Sequence, residues 1–93
     1  MKAALKKQLH KMTEAEIKTL LMRDYMRRLT RYKMTDDFFK KKYGMDFTNF
    51  EKKNLVQKEN YSFEVESDAQ EWELALDGIN TIEKKFKEIS HEN

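Results

Sequence analysis

Apolar residues recur along this chain at alternating three- and four-residue intervals, the period of one face of an α-helix, in two long stretches. The stronger is the second. Trp72, Ala75, Ile79, Ile82, Phe86 and Ile89 follow 3-4-3-4-3 spacing without an error, and predict a helix over 68–90, roughly 35 Å long at 1.5 Å per residue. The first runs through Met22, Tyr25, Leu29, Tyr32, Phe39 and Tyr43, with Asp36 in the slot that would complete the series. Ile17, Leu20, Leu21, Met26 and Phe38 widen this stripe beyond a two-stranded seam, towards a bundle-facing surface.

Local signals bound these stretches. Thr13-Glu-Ala-Glu is a capping box, in which Thr13 accepts from the amide of Glu16 while Glu16 reaches back. Lys40, Lys41 and Lys42 complement the helix dipole, and Gly44 can take the left-handed conformation that ends a helix. Met34-Thr-Asp-Asp leaves two readings open: one helix to Tyr43, or a break with Thr35 as a new cap. Asp46 is placed to cap a short helix that carries Phe47, Phe50 and Leu55 on one face as a lid over the ends of the longer helices. The polar run 54–60 is the best connector. Tyr61 to Glu66 alternates with period two, but no second strand exists for it to pair with. A helix starting at Ser62 or at Ser67 fits better.

The expected fold is therefore all-α: two long antiparallel helices joined by a short connecting helix. Residues 1–12 form a basic, helical N-terminal extension, and 13–93 form a single helical domain. Such a hairpin leaves apolar surface uncovered, since Leu74 and Leu76 flank one seam while Met22, Met26 and Met34 line the other helix. Dimerisation into a four-helix bundle, or pairing with a different protein, would cover it.

Composition narrows the function. Of 93 residues, 39% are apolar and 39% charged, which suits amphipathic helices better than a globule with a deep pocket. Absence of Cys removes disulfides, thiolate metal sites and a cysteine nucleophile. No apolar run resembles a signal peptide or spans a bilayer, so a cytoplasmic protein without membrane attachment is expected. The net charge of +2 conceals a division. Residues 1–45 hold 13 Lys/Arg against 5 Asp/Glu, whereas residues 46–93 hold 6 against 12. Opposite halves of this kind attract each other internally or present a charged face to a partner.

Candidate chemistry is sparse. His10 and His91 lie in segments prone to fray, away from any nucleophile that acid–base catalysis needs. Two distant glycines cannot make a phosphate-cradling loop, and no cofactor motif is present. An enzyme is not expected. Glu64, Asp68 and Glu71 fall at i, i+4 and i+7, a spacing that could gather oxygens around a divalent cation, but stabilisation of a helix N-terminus is the plainer reading. Arg23, Arg27 and Arg31 form a ridge at i, i+4, i+8, with Arg28 beside it. Arginine forks suit phosphate, so nucleic-acid contact is an alternative to salt bridging with the acidic half. Trp72 reads either as an interface anchor or, as the first residue of an unbroken seam, as core.

Lys42-Tyr-Gly-Met-Asp-Phe-Thr-Asn-Phe, followed by Tyr61-Ser-Phe-Glu-Val-Glu-Ser-Asp-Ala-Gln-Glu-Trp-Glu, resembles a family of short bacterial and archaeal proteins regarded as the antitoxin-like half of toxin–antitoxin pairs. The likeness covers roughly the last two thirds of the chain and leaves Met1 to Met12 outside. It carries over Tyr43, Gly44, Met45, Phe47 and Phe50, then Tyr61, Glu64, Val65, Glu66, Asp68, Trp72 and Glu73. The resemblance implies a module that neutralises a toxin-like neighbouring gene product by laying a helical surface over it, with Glu64, Glu66, Asp68, Trp72 and Glu73 at the contact.

Overall fold

A computed structural model describes residues 2–53, 55–58, 60 and 62–91, without the side chains of Leu55 and Val56. The chain is all-helical over the described residues: α1 (Ala3–Lys11), α2 (Glu14–Tyr43), α3 (Phe47–Lys52), α4 (Leu55–Lys58) and α5 (Phe63–Ser90). Helices α2 and α5 pack along each other as an antiparallel hairpin. The extents of 56 × 29 × 16 Å make this a slab little more than one helix thick, given a helix diameter of about 10–12 Å.

The caps act as the local sequence directs. Thr13 and Glu16 form the reciprocal capping box of α2, and Gly44 closes that helix at φ 68° with its amide donating to the Lys40 carbonyl. Asp46 caps α3 through the Asn49 amide. Ser62, not Ser67, caps α5 through the Val65 amide, so α5 gains more than a turn over the 68–90 helix. Helix α2 passes unbroken through Met34–Asp37. The Thr35 hydroxyl donates back to the Arg31 carbonyl within the helix instead of starting a new one. The connector carries the single turn α4, while Tyr61 lies outside the described residues. The extension α1 has no side-chain cap and buries no residue.

The starting point at Ser62 lengthens the seam of α5 backwards through Val65 and Asp68, still at three- and four-residue spacing. Each long helix therefore carries one aspartate in its apolar seam, Asp36 and Asp68. Trp72 is fully buried among Phe39, Tyr43, Phe47 and Phe50, with ring centroids 5.2 to 6.1 Å from its own. Met45, Val65, Ala69 and Leu76 complete this cluster at the closed end of the hairpin. Farther along, Ala75 and Ile82 are buried. Gly78 lies under Tyr32, where a β-carbon would sit 2.5 Å from the ring. The two long helices approach closely there because that position has no side chain.

Candidate functional site

Both seam aspartates are answered by an aromatic donor from the opposite helix. The Trp72 indole Nε1–H donates to Asp36 Oδ1 at 2.7 Å, and the Tyr43 hydroxyl donates to Asp68 Oδ2 at 2.6 Å. Lys40 also pairs with Asp36 at 3.1 Å. Lys42 Nζ bridges Asp68 at 2.6 Å and Glu64 at 2.7 Å. Among the described residues no buried side-chain polar atom lacks a partner, as a packed core requires.

These contacts shift the titrating groups. Burial, reinforced by the bond to Asp68, raises the Tyr43 hydroxyl to about 12. Burial pushes the Asp68 carboxyl upwards, but the bonds from Lys42 and Tyr43 outweigh it and hold the group below its ordinary value. Asp68 and Glu64 raise the Lys42 ammonium, and Asp36 does the same for Lys40. The Glu64–Asp68 pair, whose spacing suits a cation but reads more plainly as acid at a helix N-terminus, holds a lysine ammonium.

The proposed partner-binding residues divide accordingly. Trp72 cannot touch a partner from its place in the core, because its whole surface is spent on neighbouring rings. Asp68 and Glu64 are engaged by Lys42 and brace the hairpin. Glu66 and Glu73 remain exposed. With Phe63, Gln70 and Asp77 they follow 3-4-3-4 spacing along the edge of α5 opposite its seam, and all five are exposed. Phe63 is 85% exposed. The edge extends about 21 Å from Phe63 to Asp77.

The opposite edge, on α2, is basic. Arg23, Arg27 and Arg31 are exposed there, with the exposed Leu20 and Met34 alongside. Among the described residues the arginines make no ion pair with the acidic half of the chain. Arg27 and Arg28 pair with Asp24 of their own helix, at 3.9 and 3.1 Å. Among the described residues the ion pairs joining the two halves come from Lys42, which also sits in the last turn of α2 where it complements the helix dipole. A lysine next to a seam, with acids predicted on the facing helix, was the available signal.

The two flat faces of the hairpin differ. Ala69 and Leu76 lie to one side of the α5 seam and pack into the cluster that holds Phe47 and Phe50, so α3 covers that face. Glu64 and Glu71 lie on the other side of the seam. There an open groove is lined by Met34, Thr35, Phe38 and Lys42 of α2 and by Glu64 and Glu71 of α5. Phe38 is 60% exposed, and Leu74, one turn from Glu71, is 69% exposed. No helix among the described residues is long and apolar enough to cross a membrane. No family model, no curated protein and no solved structure matches the chain.

Proposed function

We propose that this chain is a non-enzymatic protein-binding module of the antitoxin kind, which neutralises a partner by laying the acidic edge of α5 against it. The observation that carries the reading is the stripe Phe63, Glu66, Gln70, Glu73 and Asp77, exposed in full and opposite a seam that is already satisfied. Glu66, Glu73 and Asp77 have no ion pair among the described residues. An acidic helical edge with an aromatic anchor at one end suits a basic surface on a partner, since charge complementarity steers association and a buried aromatic supplies affinity. A basic cleft is what an enzyme acting on nucleic acid presents, and occlusion of such a cleft inhibits without chemistry.

The test is co-expression with the product of the adjacent gene, followed by measurement of complex mass and of the partner's activity. A stoichiometric complex in which the partner is inactive supports the reading. Active partner eluting separately removes it.

A second reading has its own observation. Arg23 and Arg31 make no ion pair among the described residues, and three arginines spaced i, i+4, i+8 along an exposed edge can follow a phosphate backbone. Binding of duplex or single-stranded nucleic acid that weakens with salt and is lost in Arg27→Glu/Arg31→Glu would establish it. Unchanged binding in that variant would exclude it.

A further inference from the structure

The hairpin is one layer thick, and α3 covers only one of its flat faces. The uncovered face carries Phe38 and Leu74, two of the larger exposed apolar side chains of the chain, beside the groove floored by Thr35 and Phe39. We propose that a second copy of this chain covers this face. The dimer would have its two-fold axis along the length of the hairpin, with α2 of each copy lying over α5 of the other. The proposal stands on this face alone and is independent of the acidic-edge reading.

Charge selects the occupant and the direction of the axis. Over its length α2 has 9 Lys/Arg against 5 Asp/Glu, and α5 has 3 against 8. On the uncovered face itself Lys42 lies on the α2 side and Glu64 and Glu71 on the α5 side, which makes the face self-complementary under a two-fold axis that exchanges the sides. An axis across the hairpin would instead stack α2 antiparallel on α2 and α5 on α5, setting basic helix against basic helix and acidic against acidic. The lengthwise axis brings Glu71 of one copy towards Lys42 of the other. Among the described residues Glu71 has no ion pair within the chain.

Register supports the same geometry. Within the hairpin, Asp36 lies opposite Trp72, Tyr43 opposite Asp68, and Tyr32 opposite Gly78. A two-fold axis along the hairpin preserves height, so each α2 residue meets the second copy's α5 at the level of its own α5 neighbour. Phe38 adjoins Phe39, whose ring stacks on Trp72, and so stands within one turn of Leu74. Phe38 of each copy then packs on Leu74 of the other. The product is a four-helix layer closed on its apolar side, with α3 of each copy outermost.

The experiment is the solution mass of the full chain alone, by light scattering across a dilution series. The proposal requires twice the 11.3 kDa chain mass. Phe38→Glu and Leu74→Lys should each halve it, with helicity by circular dichroism unchanged because both positions are exposed. Mixing the two variants should restore the dimer, since one Phe38–Leu74 contact survives and the other becomes a Glu–Lys pair. A wild-type chain that stays at single-chain mass overturns the proposal. So does a dimer that persists in both variants, which would place self-association on another surface. Failure of the mixture to reassociate overturns the lengthwise axis.

Discussion

The Trp72 indole and the Asp36 carboxylate meet at 2.7 Å although they lie 36 positions apart, one on each helix of the hairpin. Tyr43 and Asp68 repeat the arrangement with donor and acceptor helices exchanged. Two helices with purely apolar seams can slide by a heptad at little cost, because one apolar layer resembles the next. A carboxylate in each seam removes that freedom. Any other register leaves a part-buried carboxylate facing apolar side chains without its aromatic donor, which disfavours it.

Asp36→Ala is therefore expected to destabilise the chain by about 1–3 kcal/mol, the cost of leaving the buried indole N–H without an acceptor. Asp36→Asn retains an acceptor oxygen and should cost much less. Urea unfolding of both variants, followed by the emission of the sole tryptophan, measures the difference. Equal losses would show that Asp36 acts through its charge on Lys40 and not through Trp72.

Gly78→Ala sets two effects of opposite sign against each other. Alanine gains roughly 1 kcal/mol of helix propensity over glycine. Its β-carbon, however, would meet the Tyr32 ring at 2.5 Å, and overpacking of this kind costs about 1–3 kcal/mol. Net destabilisation is expected in the wild-type background. In a Tyr32→Ala background the ring is gone, and the same substitution should become stabilising. A double-mutant cycle by thermal unfolding reads the change of sign.

Acid should weaken the closed end of the hairpin. The Asp68 carboxyl titrates below its ordinary value when folded, so the unfolded chain takes up this proton first as the pH drops. The stability it contributes is present above the unfolded value, near pH 4, and is lost as the pH falls through the lowered folded value. Tyr43 behaves in the opposite sense. Its contribution is complete below 10.0 and is lost as the pH rises through about 12. Melting temperatures from neutral pH down to pH 2 should fall less steeply for Asp68→Asn than for wild type, starting from a lower plateau.

Charge reversal of the α5 edge separates binding from folding. Glu66→Lys/Glu73→Lys alters exposed positions without ion pairs among the described residues, so the fold should persist with a loss of about 1 kcal/mol, arising from Glu66 in the first turn of α5. Association with a basic partner should weaken by tenfold or more, and chiefly through a slower, less salt-sensitive on-rate. Surface plasmon resonance at two salt concentrations distinguishes this from a loss confined to the off-rate.

The helices and their ends were legible in the sequence because they depend on neighbours within a turn. Thr13 with Glu16, Gly44 after a lysine run, and the 3-4 spacing from Trp72 to Ile89 needed nothing distant. Asp36 was visible only as an interruption in a seam, and Glu64 with Asp68 only as acids on one face. The choice between Ser62 and Ser67 turned on long-range contacts. Starting at Ser62 brings Val65 into the core beside Phe39, Phe50 and Trp72, a contact that a start at Ser67 would forgo. Trp72 could be assigned to core or interface only once Phe39, Tyr43, Phe47 and Phe50 were seen around it. Local backbone preferences and apolar spacing determined the all-α hairpin. The tertiary structure decided which charges are occupied inside and which remain outside, because a carboxylate's role depends on the donor that reaches it from another helix.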